Sequence, residues 1–455
     1  MSELRKDSFE DEVLIRPIEH TGKGFYITVC VLLAIIAFSV YTYIRQVVLG
    51  LGVTGLNQPV SWGFYIINFV FFIGISHAGT LISAILRLSK AEWRRPITRM
   101  AEVITAIVLA IGGLHPILDL GRPDRMMHLF TDGRLQSPLL WDVTSITAYF
   151  GASTVYLYLP MIPDIAILRD RGTRPRWLYE FLAWGWQGTE HQKKVLERAI
   201  NILMVMVIPI AVSVHTVISF IFSMTIQPGW HSTIFGPYFV VGAIFSGIAA
   251  LLIAMIAFRK AFKLEPYLKE IHFKYLGLLL LIMSMLWGYF TFSEYLTGYY
   301  GHEPNEMRVF LYKFVGKMSP FFWLMIFCNF VVPITILANP KTQKIPGILV
   351  ASIAVVIGMW LERLIIVVPS LANPRLPYPT GMYIPSLTEW SLFAWGLAVF
   401  VLGYVLFSKY FPLVSIWEIQ EGRQHSVREV ASRLQSYLPE QPLPESASKR
   451  AGVEQ

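Results

Sequence analysis

Long apolar runs alternate with short polar connections along almost the whole chain. Each run holds about 20 residues or more, the length that a helix needs to cross roughly 30 Å of hydrocarbon. Because the bilayer core cannot hydrogen-bond free backbone groups, such runs must be helical, and they are too continuous for barrel strands. The pattern therefore predicts an all-α polytopic membrane protein. The ten predicted spans are 25–49, 63–87, 99–118, 139–162, 199–224, 236–258, 274–296, 319–338, 346–369 and 388–410.

Basic residues in the connections set the predicted orientation, because Lys and Arg of short loops are retained on the cytoplasmic side. They are concentrated in the loops after spans 2, 4, 6 and 8, whereas the loops after spans 1 and 5 contain none. The first run is too long, and its acidic flank is wrong, for a cleaved signal peptide. Both termini are therefore predicted to be cytoplasmic.

The composition agrees with a bilayer environment, since 55% of the residues are hydrophobic and only 15% are charged. The net charge of +8 does not indicate a nucleic-acid partner, because the basic residues lie between apolar runs rather than along one soluble face. The cysteines, Cys30 and Cys328, lie inside apolar runs without a CxxC or CxxCH motif. No c-type haem or iron–sulfur cluster is therefore expected in this chain.

The most unusual polar cluster lies at the predicted outer end of the third span. His115 and Asp119 are four residues apart and share a helix face if the helix continues past Pro116, which is expected to kink it. A neutral His or a carboxylate can accept a hydroxyl proton, and Arg122 can balance charge, which suits a quinol. The structural alternative is that Asp119 caps the helix end or pairs with Arg122 or Arg125, while His115 bonds a backbone carbonyl.

Two further polar residues are candidates for the same site. Asp142, at the outer start of the fourth span, can converge on it because the intervening loop is short, although an acid near a helix N-terminus also simply favours the helix dipole. His77 lies near mid-depth in the second span, where Gly74 and Gly79 permit close helix packing. A neighbouring hydroxyl can equally well satisfy its ring.

Four ionisable residues stand among apolar residues elsewhere and form a candidate proton path: His215, Glu294, Glu362 and Arg363. Interhelical polar contacts that fix the bundle are an equally good interpretation. Neighbours on a helix point about 100° apart, so Glu362 and Arg363 need not pair.

Bound haem and metal are not expected from this pattern. Spanning helices that hold b-type haem commonly supply paired histidines. The histidines of the predicted spans, His77, His115 and His215, lie on different helices at different predicted depths. We therefore predict no haem and no metal site in this chain.

Two motifs carry a resemblance to a known family. One is Leu118-Asp119-Leu120-Gly121-Arg122-Pro123, and the other is Trp62-Gly63-Phe64 followed by the segment from Gly74 to Ala84. With these motifs the chain resembles the NrfD/PsrC-like family of polysulfide reductase membrane subunits over nearly all ten spans. Within the family it is most similar to ActC-type subunits, the quinol-oxidising core of bacterial alternative complex III.

The resemblance implies two four-helix bundles flanked by the first and last helices. The implied division is a cytoplasmic N-terminal segment 1–24, a first flanking span and outer loop 25–62, a first bundle with the quinol site 63–224, a second bundle 225–369, a last flanking span 370–411 and a cytoplasmic tail 412–455.

The resemblance also implies an oxidoreductase subunit that binds and oxidises (mena)quinol near the periplasmic face of a bacterial inner membrane. Electrons would pass to a periplasmic iron–sulfur subunit and on to a multihaem cytochrome c, beside an ActF-type membrane subunit and small membrane subunits. Proton translocation is a further implied property. The implied quinol-binding residues are His77, His115, Asp119, Arg122 and Asp142, of which His115, Asp119 and Asp142 are the implied catalytic groups.

Two other functions remain open at this point. A noncatalytic ActF-type anchor has a similar fold, so membership of the family does not by itself establish quinol oxidation. A secondary transporter is also rich in helices with buried charge, and paired spans broken by Gly and Pro would favour it.

Overall fold

The computed structural model of the protein describes residues 8–376 and 382–422. Ten helices in these ranges are long and apolar enough to cross a membrane, which confirms the ten predicted spans and the all-α fold class. They are α1 Lys23–Leu49, α2 Phe64–Leu88, α3 Thr98–Asp119, α4 Pro138–Asp170, α5 Glu190–Ser223, α6 Phe235–Ala261, α7 Glu270–Gly301, α8 Ser319–Leu337, α9 Ile345–Ala372 and α10 Leu387–Tyr410. Following the predicted orientation, we call the end where α3 finishes and α4 begins the outer end.

Several helices extend beyond the apolar runs that predicted them. Helix α4 reaches Asp170 because the 3-10 turn Leu159–Met161 joins its two α-helical parts. Helix α5 begins well before residue 199, since the Thr189 hydroxyl accepts from the Gln192 N–H and the Gln192 side chain returns the bond. This capping box satisfies backbone donors that the first turn leaves free. Polar first turns are therefore helical although hydropathy alone does not mark them.

Prolines interrupt the spans less than expected. Pro116 and Pro209 lie inside continuous α-helical segments. Helix α8 instead contains a π-helical turn, Phe327–Val331, directly before the α-helical part that carries Pro333. The described spans are thus helical throughout, without the pair of broken helices expected of a transporter.

Helix α2 is central to the packing. It contacts α3, α5, α6, α9 and α10, and 88% of its most apolar stretch is buried, against 17% for α1. A Cβ added at Gly79 would lie 1.8 Å from the carbonyl oxygen of Ala101 on α3. Only a glycine lets the two backbones approach this closely, as the small residues of this segment predicted.

Ion pairs fasten the opposite end of the bundle. Arg99 pairs with buried Asp164, which also accepts the backbone N–H groups of Ile416 and Trp417 at 3.0 Å. Glu418 is buried and pairs with Arg87 and Arg94. The beginning of the predicted tail is therefore held against the bundle, whereas residues 423–455 lie outside the described part of the chain.

Candidate functional site

His115 presents one ring nitrogen that has no partner among the described residues. Helix α3 continues past Pro116 to Asp119, and the His115 Nδ1–H donates to the carbonyl oxygen of Ile111 at 2.9 Å. The ring is fully buried between Phe72 and Trp395, with centroids 5.3 and 5.9 Å away. Nε2 is the unpartnered atom. Because a carbonyl can only accept, Nδ1 carries the proton and Nε2 is left as a buried acceptor.

Asp142 supplies a second buried atom of this kind. Its side chain is 5% exposed, and Oδ1 makes no hydrogen bond within the described part of the chain. Helices α3 and α4 are in contact here, since a Cβ added at Gly113 would lie 3.7 Å from Ile146. Asp142 is one turn closer to the outer end than Ile146. It therefore lies at a height between His115 and Asp119.

Asp119 stands among polar groups that cover the outer end of α3. The Gln46 side chain donates to the carbonyl oxygen of Leu118 at 2.8 Å and accepts the Tyr65 hydroxyl at 2.7 Å. Half-buried Asp119 interacts electrostatically with Tyr65 and with Glu389. The sequence-based prediction missed these three neighbours. Gln46 was detectable as a polar residue in an apolar run, whereas Glu389 reads as the partner of an N-terminal capping box.

Arg122 lies apart from the buried groups. Its side chain is exposed and donates to both carboxylate oxygens of Asp124, at 3.0 and 2.9 Å. The suggested pairing of Asp119 with Arg122 or Arg125 is not formed among the described residues, so that part of the structural alternative is wrong. A contact between Arg122 and quinol stays a prediction.

His77 and His215 touch, which contradicts the expectation that the spanning histidines lie at different depths. Their ring centroids are 3.8 Å apart, and both side chains are fully buried. Helices α2 and α5 pack side by side here, and His77 Nε2 lies 2.7 Å from the carbonyl oxygen of Ala211. Apolar runs give the length of a span but not its vertical register, so the pairing could not be read from them. A difference in depth between the histidines therefore no longer argues against haem. The absence of haem stays a prediction.

Glu362 and Arg363 form an ion pair, although neighbours on a helix were not expected to need one another. Glu362 also accepts the indole N–H of Trp287 at 2.5 Å. A Cβ added at Gly242 would lie 3.2 Å from Arg363 Nη2, and one at Gly74 would lie 3.6 Å from it. The guanidinium therefore fills space left by glycines on α2 and α6. Long flexible side chains can turn toward each other even when their Cβ atoms diverge.

The four residues of the candidate proton path follow one another through space, from His215 to Glu294. Arg363 is close enough to His215 for an electrostatic interaction. Glu362, its partner, lines a cavity of about 50 Å³ that Glu294 also lines. Glu294 in turn accepts the hydroxyl of Ser232. Polar groups thus extend from the histidine pair to the outer end of α7.

The chain matches a known family over most of its length. The family model described as "Polysulphide reductase, NrfD" matches residues 52–374. The chain belongs to the NrfD family. This confirms the resemblance carried by the Leu118–Pro123 motif.

Similarity to other membrane subunits extends over three quarters of this NrfD chain or more. A membrane subunit assigned to dimethyl sulfoxide reductase in Halobacterium salinarum is 27% identical, over 75% of this chain and 75% of its own. A selenate reductase subunit of Mesobacillus selenatarsenatis is 26% identical, over 88% and 96% respectively. The Hdr-like menaquinol oxidoreductase integral membrane subunit of Archaeoglobus fulgidus is 26% identical, over 87% and 96%. This NrfD chain is therefore a multi-pass member of a family of oxidoreductase membrane subunits.

Proposed function

We propose that this chain is the quinol-oxidising membrane subunit of an electron-transfer complex and that it binds menaquinol at the outer end, beside His115 of α3 and Asp142 of α4. The observation that supports this is that two of the buried atoms without partners in the described part of the chain, His115 Nε2 and Asp142 Oδ1, lie at neighbouring heights near the outer end. An unsatisfied buried polar atom costs about 1–3 kcal/mol, so two of them at neighbouring heights near the outer end need a reason. A ligand with two hydroxyl groups satisfies both.

The chemistry of these residues fits quinol oxidation. A quinol gives up two protons and two electrons when it becomes a quinone. His115 Nε2 accepts one hydroxyl proton, and the resulting imidazolium keeps its bond to Ile111 through Nδ1. Asp142 accepts the other, and Asp119 helps to orient the ligand. The electrons pass to an iron–sulfur cluster of a partner subunit and then to a multihaem cytochrome c.

One of the relatives bears on the substrate in this proposal. One relative is named as a menaquinol oxidoreductase subunit, which makes menaquinol the preferred substrate. We propose an ActC-type role in a bacterial inner membrane with both termini cytoplasmic, beside a periplasmic iron–sulfur subunit, an ActF-type subunit and small membrane subunits. The first bundle, 63–224, would hold the quinol site, and the second, 225–369, would complete a proton route.

The proton route begins at His77 in this proposal. Its Nδ1 lies 3.2 Å from the carbonyl oxygen of Ile73, and its Nε2 lies 2.7 Å from that of Ala211. A second proton on this ring therefore finds an acceptor already in place. The route continues through His215, the Arg363–Glu362 pair and Glu294. Arg363 acts as a fixed positive charge that opposes a resting charge on His215.

Replacing His115 by Phe tests the quinol site. Phe keeps the aromatic packing against Phe72 and Trp395 and removes the unpartnered nitrogen, so stability is expected to stay the same or to rise. Quinol-dependent reduction of the acceptor is expected to fall by about 10²–10⁴-fold, the usual contribution of general base catalysis. The measurement is turnover of the purified complex, with melting temperature as a check on folding.

His128→Phe is the matched control, because His128 is exposed and its ring bonds Asp132, away from the buried groups. Full turnover in an intact His115→Phe complex would refute the site. Absence of menaquinol binding in the wild-type complex would favour the ActF-type anchor, and substrate flux through the purified chain alone in liposomes would favour a transporter.

A further inference from the structure

A second polar cavity lies at the outer end, between α6, α7, α9 and the short helix Pro304–Phe314. Its volume is about 50 Å³. A single water needs about 10–15 Å³ measured in this way, so the cavity has room for a small group of waters. Four of the side chains that line it are charged groups: Glu294, Glu306, Lys313 and Glu362. Burying such a set of charged groups in a membrane protein costs free energy, and this cost indicates that the groups have a function.

Lys313 is the unusual member of this cavity. Its side chain is 5% exposed, and its ammonium lies 5.5 Å from the centre of the Tyr295 ring. Among the described residues it forms no ion pair and donates no hydrogen bond, although it lines the cavity. The face of the aromatic ring attracts the ammonium, and the cavity leaves room for water to accept its protons. The ammonium thus lines the cavity without a protein acceptor for its protons among the described residues.

Each nearby carboxylate is held by one donor. Glu294 accepts the Ser232 hydroxyl, and Glu306 Oε2 accepts the backbone N–H of Gly229 at 2.7 Å. Gly229 has φ +77°, and a Cβ there would lie 2.9 Å from Ser370 Oγ, so a glycine is needed for this N–H to point at Glu306. The local backbone is thus arranged to fix a carboxylate beside Lys313.

Burial and these neighbours set the pKa of Lys313. Burial lowers the pKa of Lys313 to about 8, against the opposing attraction of the Glu294 and Glu306 carboxylates. Burial also raises the pKa of Glu306, which the Gly229 N–H partly offsets. The amine can therefore bind and release a proton close to neutral pH.

Other titratable groups face this cluster from each packed element. Tyr238 comes from α6, Tyr295 from α7 and Glu362 from α9. His231 and Glu303 act electrostatically on Glu306 from the adjoining loops. Tyrosines stay neutral near pH 8, so the two carboxylates and Glu362 with its Arg363 partner set the field at Lys313.

We propose that Lys313, together with Glu294 and Glu306, forms a water-filled proton site that terminates the proton route at the outer end. This inference rests on the proposed function, since the proton arrives through Glu362. Cavity water carries it to the neutral Lys313 amine, which becomes an ammonium, and the ammonium then releases it to the outer side. Lys313 and Glu306 lie on a short helix that hydropathy marks only as a polar loop, which is why the spans alone do not reveal them.

The test uses the whole complex reconstituted in vesicles, oxidising menaquinol, with protons released at the outer side counted per electron. In the wild type we expect more protons than the quinol hydroxyls alone supply. Lys313→Met and Lys313→Arg are both expected to lower the ratio to the value set by those hydroxyls while quinol turnover stays within about twofold. Arginine keeps the positive charge but does not lose its proton in proteins.

Lys317→Met is the matched control, because Lys317 is exposed four residues further along the chain, and it should leave the ratio unchanged. Glu306→Gln keeps an acceptor for Gly229 but cannot titrate, and it should reduce the ratio even if the lysine variants fail to assemble. An undiminished ratio of protons to electrons in Lys313→Arg or in Glu306→Gln would overturn this inference. It would leave the proposed proton route from His77 to Glu294 intact. A wild-type ratio equal to that of the hydroxyls alone would instead overturn the proposed proton route.

Discussion

The outer ends of the two predicted bundles handle polar groups in opposite ways. In the first, His115 and Asp142 are buried with one atom each left without a partner among the described residues. In the second, Glu294 and Glu306 each accept a hydrogen bond from the protein, and Lys313 lines a cavity of about 50 Å³. A neutral ligand with hydroxyl groups completes the first arrangement, whereas water and a mobile proton suit the second. On the proposed function, similar helical frames serve quinol binding in one half and proton transfer in the other.

The two ends differ again in what connects them. His77 and His215 meet within the first bundle, and Arg363 with Glu362 lies where α9 packs against α2 and α6. The guanidinium occupies the space beside Gly74 and Gly242. This ion pair lies between the two predicted halves.

Removing Arg363 should have the largest effect on stability, because it leaves Glu362 as an unpaired buried charge. Arg363→Met is expected to lower the free energy of unfolding by about 3–5 kcal/mol, the usual cost of breaking a buried pair. Thermal unfolding of the purified complex in detergent measures this, and Glu362→Gln in the same chain should restore part of the loss. Arg122→Met is the control, since that exposed pair with Asp124 is worth about 0–1 kcal/mol. Equal losses for the two arginine variants would contradict the account of the buried pair.

Glycine-to-alanine substitutions should lower the free energy of unfolding by different amounts in the two predicted halves, and both effects should be smaller than that of Arg363→Met. Gly79→Ala places a Cβ 1.8 Å from the backbone oxygen of Ala101, which can move only if α2 and α3 separate. Gly288→Ala places one 2.4 Å from the ring of Phe330, a side chain that can rotate. We expect Gly79→Ala to cost about 1–3 kcal/mol, as overpacking does, and Gly288→Ala to cost less. Gly151→Ala, with no atom of the described chain within 4 Å, is the control; a larger loss at Gly288 than at Gly79 would reverse the comparison.

The sequence predicts the number of spans well because the bilayer requires each helix to be long and continuously apolar. It also locates the polar end of α3, where the helix continues from His115 to Asp119 and Asp142 lies at a neighbouring height. The rotation and depth of each helix depend on packing, which one sequence does not record. This is why His77 and His215 were wrongly predicted to lie at different depths.

The remaining misses have different physical causes. The Glu362–Arg363 pair depends on side-chain rotamers rather than on Cβ directions, so helical geometry alone left it open. Lys313 lies on a short helix between spans. Charged residues are common there, so the sequence did not indicate that this one is buried. Its burial results from the way this helix folds over the outer end of α7 and α9.

The account depends most on the claim that His115 and Asp142 bind the quinol head group. The most direct measurement is a cryo-electron microscopy structure of the assembled complex with menaquinol bound, compared with the His115→Phe variant. We predict head-group density at the outer end, with one oxygen in hydrogen-bond reach of His115 Nε2 and the other in reach of Asp142, and loss of this density in the variant. Head-group density elsewhere, with His115 and Asp142 closed off by protein or lipid, would contradict the central claim.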